Sequence, residues 1–588
     1  MNKIENALLL YLYKNGLLSQ RELAKKLGCS LGMVNKSLNR LKQDHLLNED
    51  CSISPVGKQQ IEKNQPENAI ILAAGLGMRM TPINQDVSKG LLIVKKKAVI
   101  EHTIECLKAK RIDNIYIVVG YMKEQYEYLI DKYHVHLIVN NRYDETNNSY
   151  SLYLARKYLH NSYIIPCDIY LGQNPFHESE YQSWYLFNQN IRVKNNYKIT
   201  KTGFVELSKK EDIRDLPLGI AYVNETDSQI LKAALDHMDS NTFEYRHYYW
   251  ENAAFENHVR FISAYANQCD EINTYEDLRD LDITSPSLKS NIIDIITASL
   301  AIDMTQIKNI TLSKKGMTNR SFLFETEKGK YIMRIPGEGT DQLINRHEEG
   351  MVYQVLEKYD IADEVVYFNQ ENGYKLTKFI PESRVCDANN EDDIRKCMTL
   401  LKSFHQLNLK VDHYFDIYEK IAFYEKLRGN RPSLYSDYEK TREKVYALKK
   451  IIDKMPKHEC LTHIDAVPDN FLIYRQGNEE KIKLIDWEYA SMQDSDVDIA
   501  MFCIYALYDK KQCDHLMDIY YDHQCDDTIR LKIYCYIAAC GFLWSNWCEY
   551  KHALGVEFGE YSLAQYRYAK DFYRYAHEFM EENQICIK

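Results

Sequence analysis

The stretch Asn68 to Leu91, NAIILAAGLGMRMTPINQDVSKGL, constrains the fold more than any other part of the chain. Its apolar run, Ala69 to Ala74, reads as a strand buried on both faces, and it breaks at once into a loop holding Gly75 and Gly77. Glycines directly after such a strand let backbone N–H groups approach a phosphate closely. Arg79 and Lys89 then bring two cations to the same place. After Leu91 the pattern alternates. Val99–Ala109 reads as helix, Ile112–Tyr121 as buried strand, Lys123–Tyr133 as helix and Val135–Asn140 as strand. This alternation predicts a doubly wound parallel sheet with ligands at the carboxyl ends of its strands. The next strand, SYIIPCDIYL, carries Asp168, a carboxylate facing the loop and suited to Mg²⁺.

A chain of 588 residues is too long for one core. No apolar run approaches the ~18 residues of a membrane span, so no membrane partner is expected. Fifteen cysteines without a C-x-x-C pair fit reduced thiols of a cytoplasmic protein better than a disulfide framework. The net charge of −11 argues against a general nucleic-acid binder, but residues 1–64 carry ten Lys/Arg against six Asp/Glu. There Ile4, Leu8, Leu9 and Leu12 form one apolar face. Two further helices meet at Gly28-Cys29-Ser30, with Ser19 and Ser30 as N-caps. The second buries Val34, Leu38 and Leu41 and presents Asn35, Lys36, Asn39 and Arg40. This segment resembles the winged helix-turn-helix of bacterial regulators, with Ile53–Gly57 in the wing. DNA, a homodimer partner and protein docking all stay open for it. The polar joint Glu62–Glu67 predicts a module that folds apart and is dispensable for chemistry.

LAAGLGMRMTP followed by SKG resembles the opening of the sugar-nucleotide and phosphocholine nucleotidyltransferases, with Ser88 where that family usually has proline. The resemblance implies a nucleotide loop of Ala73, Ala74, Gly75 and Gly77. Arg79 and Lys89 would offset charge on the α-phosphorus and the departing pyrophosphate. VVGYMKEQYEYL, NNRYDETNNSYSLYLA, YYWENAAFEN and DEINTYEDLRDL extend the likeness to phosphocholine cytidylyltransferases over residues 68–282. By that likeness Asp168 and Asn273 are metal ligands, Asn273 standing where relatives carry aspartate. Trp184, Tyr185, Glu251 and Glu271 would serve phosphocholine and its quaternary ammonium.

A Ser/Pro break and a connecting helix over 284–304 precede a second enzyme-like unit. A strand pair ends near Arg334, a helix carries Glu348 and Glu349, and KLTKFI reads as a hinge strand. His463-x-Asp465-x₄-Asn470, followed sixteen residues later by Asp486, is a phosphotransferase constellation. One carboxylate takes a hydroxyl proton, while an amide and a second carboxylate hold the magnesium of ATP. With IDWEYA and RIPGEGT…LINR the segment resembles choline and ethanolamine kinases of the aminoglycoside-phosphotransferase group. That likeness implies ATP contact by Arg334, paired with Glu348 or Glu349. It also implies an ammonium site of Trp487, Glu488, Trp544 and Trp547.

The expected architecture is a winged helix-turn-helix (1–64), an α/β nucleotidyltransferase (67–283), a linker (284–304) and an α+β, bilobal kinase-like domain (305–588). The expected function is phosphorylation of choline by ATP, then transfer of CMP from CTP to phosphocholine, with Mg²⁺ as cofactor. By resemblance the product would serve phosphocholine decoration of a bacterial surface polymer or glycolipid. One rival keeps this chemistry on ethanolamine or another amino alcohol. A second is a transcriptional regulator whose enzyme-like domains only sense ligands.

Overall fold

Alternate residues of strand β1 (Asn68–Ala73) serve two cores. Ile71 and Ala73 pack with Ile117 and Ile165 on one side, and Ile70 and Leu72 pack with Val118 and Ile164 on the other. A strand with both faces covered has no room for polar side chains, which is why the run is continuous in sequence. The computed structural model describes residues 1–83, 87–238, 246–313, 319–337, 343–429 and 431–585, in two units, Met1–Leu312 and Ser313–Lys588.

In the first unit β1 lies beside β2 (Asn114–Val119) and β4 (Ser162–Pro166), with β3 (His136–Val139) outside β2, all four parallel. The full order is β7-β5-β6-β4-β1-β2-β3, where β5 is Trp184–Ile199, β6 Val205–Val223 and β7 Ile262–Tyr265. β6 runs antiparallel to both β4 and β5, so the sheet is mixed rather than wholly parallel. The cause is local: β5 and β6 are joined by a short turn, and hairpin strands must be antiparallel. Asp168 follows β4 directly, at the carboxyl edge beside the loop after β1.

Residues 1–64 form four helices: α1 (Lys3–Asn15), α2 (Gln20–Leu27), α3 (Leu31–Gln43) and α4 (Pro55–Lys63). Ser19 and Ser30 cap α2 and α3, accepting from Glu22 and Met33 N–H groups, as their positions predicted. The wing is smaller than expected. A single bridge, Leu47 to Ile53, is all the pairing described, and Gly57 lies within α4. Gly57 packs so closely that a Cβ there would stand 2.1 Å from the Leu46 carbonyl oxygen.

The module is also docked, where the polar joint had suggested independence. Buried Asn6 donates from Nδ2 to the Ser179 carbonyl at 3.1 Å, and the Glu180 N–H donates to the Asn64 carbonyl at 2.7 Å. Asn161 Nδ2 donates to the Lys63 carbonyl at 3.2 Å, and Lys14 pairs with Glu178. Glu180 in turn accepts from the Tyr163 hydroxyl at 2.7 Å, which ties the docking loop to β4.

The second unit opens with antiparallel strands in the order β8-β9-β11-β10: Asn319–Thr326, Gly329–Pro336, Lys375–Lys378 and Val365–Phe368. Helix α5 (Arg346–Leu356) carries Glu349 toward β9. The remainder is mostly helical around α6 (Asp527–Ala553), buried along most of its length, with α7 (Glu560–Glu582) against it. Lys315–Thr318 and Glu338–Thr340, read above as parts of the strand pair and its following loop, lie outside the described residues. No helix among the described residues is long and apolar enough to cross a membrane.

The docking yields a first expectation. Asn6→Leu leaves the buried Ser179 carbonyl without its donor, a loss of about 1–3 kcal/mol. It therefore lowers the melting midpoint of the nucleotidyltransferase by roughly 2–4 °C per kcal/mol. Calorimetry of the full chain measures this, and an unchanged midpoint would show that the module does fold apart.

Candidate active sites

In the first unit the loop after β1 borders a cavity of about 380 Å³, together with Asn140, Tyr143, Asn147 and Asp168. Gly77 takes a left-handed conformation, φ 59°, that opens the turn toward Lys89. Gly120, at the neighbouring strand end, leaves no space for a Cβ, which would stand 2.8 Å from the Ala74 carbonyl and 2.7 Å from Tyr143. Lys89 Nζ donates to Asp168 Oδ2 at 2.5 Å and to Asn273 Oδ1 at 3.0 Å. Arg79 stands exposed at the rim. Glu271 lies in the same field: burial pushes its carboxyl up, and the Asp168 charge adds to the shift. Two carboxylates and an amide oxygen are thus gathered where one lysine offsets their charge. Among the described residues no group of three or more His, Cys, Asp and Glu side chains is gathered as a metal site. Beside Asp168 and Glu271 the third oxygen is the amide of Asn273.

Glu251 comes from helix Trp250–Glu256, and its Oε1 accepts from the Tyr185 hydroxyl at 3.2 Å while Oε2 is buried without a partner. Burial pushes its carboxyl up to about 7. Tyr185 stacks on Tyr197 at 5.3 Å with Trp250 beside it at 6.1 Å, so the carboxylate sits under an aromatic cluster. Trp184, its neighbour in sequence, points to the other face of β5 and packs in the core on Tyr163 at 5.8 Å. The period of a strand separates the two, and Trp184 is core rather than ligand wall.

In the second unit a cavity of about 510 Å³ gathers Arg334, Asp465, Asn470, Asp486 and Glu488. Arg334 forms a two-pronged pair with Glu349, at 2.6 and 2.8 Å, and Glu349 is buried. Glu349 rather than Glu348 is therefore its helix partner. Asn470 Nδ2 donates to the Asp465 carbonyl at 2.8 Å and to its Oδ2 at 3.2 Å. His463 stays inside, its Nε2 against the Ile485 carbonyl at 3.0 Å, and burial pushes the imidazole down to about 4. That contact ties the loop of Asp465 to the strand end before Asp486. Burial, then the Glu488 charge, push the carboxyls of Asp465 and Asp486 up to about 7 and about 8. Glu488 itself is held by Asn319 Nδ2 at 2.9 Å and Arg346 at 3.1 Å.

Trp544 and Trp547 line this cavity, ring centres 5.5 Å apart, and Tyr489 stands perpendicular to Trp544 at 5.8 Å. Trp487 does not join them. It is fully buried, its Nε1 donates to the Leu484 carbonyl at 2.8 Å, and it packs on His463 and Phe404. Asp486 and Glu488 turn toward the cavity, and the residue between them turns away. Sequence reading missed Tyr489, Tyr561 and Lys375 in the cavity wall. Lys375 was findable, because it stands opposite Arg334 across β9 and β11 and so shares its face.

The buried Glu251 carries a pH signature. Its folded-state value, about 7, exceeds the ordinary 4.5, so the ligand-free fold loses stability as pH rises through that window. Glu251→Gln removes the titration, so its melting midpoint should match wild type near pH 5 and exceed it at pH 8. A difference independent of pH would refute the assignment.

Three family models match the chain: a winged helix-turn-helix DNA-binding model over residues 1–47, a MobA-like NTP transferase domain over 69–184, and choline/ethanolamine kinase over 310–539. The choline-phosphate cytidylyltransferase of Streptococcus pneumoniae is 32% identical over 228 residues, which are 36% of this chain and 96% of the relative. Protein LicA of Haemophilus influenzae is 26% identical over 262 residues, 42% of this chain and 75% of the relative. The crystal structure of choline kinase LicA from Streptococcus pneumoniae aligns at 27% identity with a TM-score of 0.43, covering 49% of this chain and all of that one. Through the unit that holds the glycine loop, Lys89 and Asp168, and joined in one chain to a choline/ethanolamine kinase domain, this protein belongs to the choline-phosphate cytidylyltransferase family.

Proposed function

We propose that residues 305–588 phosphorylate choline with ATP. Residues 67–283 then join the phosphocholine to CMP from CTP, releasing pyrophosphate. The observation that carries this reading is that one chain holds both phosphate-handling sets complete, Lys89 with Asp168 and Asp465 with Asn470 and Asp486. In the kinase domain Asp465 accepts the proton of the choline hydroxyl as its oxygen attacks the γ-phosphorus and ADP leaves. Arg334, aligned by Glu349, faces the ATP phosphates. Trp544, Trp547 and Tyr489 surround the quaternary ammonium, each desolvated cation–π contact contributing on the order of 2 kcal/mol.

In the nucleotidyltransferase domain an oxygen of phosphocholine attacks the α-phosphorus of CTP. Lys89 and Arg79 offset the charge that gathers there and on the leaving pyrophosphate. Glu251 and Tyr185 receive the ammonium end. Mg²⁺ would be held by Asn470 and Asp486 in one domain, and by Asp168 with the amide of Asn273 in the other. It supplies neutralisation of the nucleotide phosphates. Residues 1–64 are read as a DNA-binding module, on the exposed Asn35, Lys36, Asn39 and Arg40 of α3. We place the reactions in the cytoplasm, where the free cysteines stay reduced.

Two single substitutions separate the activities. Asp465→Asn should lower choline-dependent ADP release by about 10²–10⁴-fold while leaving pyrophosphate release from CTP and supplied phosphocholine unchanged. Lys89→Ala should do the reverse. Coupled assays of both products on each variant decide the matter. Release of neither product by the wild-type chain would favour a ligand sensor, and a preference for ethanolamine over choline would change the substrate.

A further inference from the structure

Lys89 sits on a turn whose two flanking residues meet the same hydroxyl. Ser88, 1% exposed, places its Oγ 2.6 Å from the Tyr126 hydroxyl, and its N–H donates to Gln125 Oε1 at 2.9 Å. Tyr126 is fully buried. On the other side of Lys89, Gly90 is closely packed. A Cβ there would stand 3.0 Å from the Tyr126 hydroxyl and 3.1 Å from Cys167 Cβ. The turn is therefore wedged between Tyr126 and the residue that precedes Asp168. From it the Lys89 ammonium reaches Asp168 and Asn273.

Ser88 has φ −65°, the angle a proline ring would impose, in a residue free to leave it. A serine at this angle needs an outside hold, and the contacts to Tyr126 and Gln125 supply one. A buried hydroxyl pair is also selective: removing one partner strands the other, whereas removing both leaves nothing unpaired. An ammonium on a loosened turn remains attracted to Asp168 but no longer meets a phosphate at a defined distance. Displacement of a positioned group by ~1 Å costs on the order of a hundredfold in rate.

We propose that Ser88 and Tyr126 are positioning residues that clamp the Lys89 turn for cytidylyl transfer. This rests on the reading of Lys89 as the cation at the reacting phosphate. The clamp acts on turnover rather than on nucleotide affinity, because the Ser88 hydroxyl, in a residue that borders the cavity, is engaged by Tyr126, which does not line it.

The test uses the full chain in four variants: Tyr126→Phe, Ser88→Ala/Tyr126→Phe, Ser88→Pro/Tyr126→Phe and Lys89→Ala. Pyrophosphate release gives kcat and the KM for CTP, scanning calorimetry gives the melting midpoint, and choline-dependent ADP release confirms intact chains. Tyr126→Phe should lower kcat by roughly tenfold or more with the KM for CTP within about twofold, and should lower the midpoint. Ser88→Ala/Tyr126→Phe should recover the midpoint but not kcat. Ser88→Pro/Tyr126→Phe should recover kcat, since the ring restores φ. Turnover that simply follows the midpoint across the series would overturn the clamp, as would an unchanged kcat in Tyr126→Phe. Full turnover in Lys89→Ala would instead overturn the reading of Lys89 on which the clamp rests.

Discussion

A carboxylate drawn into the interior is costly unless a cation meets it, and each unit of this protein is arranged around such a meeting. In the first it is Lys89 with Asp168; in the second it is Arg334 with Glu349. Removing one partner of a buried pair such as Arg334 and Glu349 typically costs about 3–5 kcal/mol, because the other charge is left without compensation, whereas Lys89 and Asp168 keep some contact with solvent. The geometry around each pair follows from that penalty. Gly77 and Gly120 let the loop after β1 close toward the strand ends, and Asn345 caps α5 so that Glu349 enters the interior from its first turn. Burial, and then neighbouring negative charge, push up the carboxyls of Glu271 beside Asp168 and of Asp486, so each site holds more carboxylate than its cations offset. Nucleotide sites commonly meet such an excess with a divalent ion.

The aromatic residues near the two sites obey a different constraint, the alternation of side chains along an extended chain. Tyr185 faces Glu251 while Trp184 faces the core, and Glu488 faces the kinase cavity while Trp487 packs on His463. Trp184 and Trp487 are lost to the interior, while Tyr185, itself buried in the core on the opposite face of its strand, reaches Glu251 with its hydroxyl. The aromatic wall of the cavity in the second unit is instead built from Tyr489 and from Trp544 and Trp547, three residues apart on one helix and so on one face of it. A tryptophan is informative only once its neighbours' directions are known.

The N-terminal module shows how hydrogen-bond satisfaction overrides composition. A run such as Glu62–Glu67 reads as a solvated joint, yet the Lys63 and Asn64 carbonyls accept from Asn161 and Glu180. Their donors lie nearly a hundred residues or more away, so no local pattern announces them. Through Glu180 the same contacts reach Tyr163 on β4, two residues beyond whose end stands Asp168, so the docked helices and the Lys89–Asp168 site are linked through one strand.

The sequence by itself determined the order of elements, the caps at Ser19 and Ser30, the glycine loop after β1, and the grouping of Asp465, Asn470 and Asp486 that the structure gathers around one cavity. These are local matters, settled by strand and helix periods, capping hydrogen bonds and short spacings. Tertiary structure alone decided that β6 runs antiparallel and that Glu349 rather than Glu348 meets Arg334. It also decided that Trp184 and Trp487 are core, and that Ser88 is pinned by a tyrosine thirty-eight residues on. Each of those depends on which face a side chain takes and on what distant partner stands opposite, quantities that exist only once the chain has closed on itself.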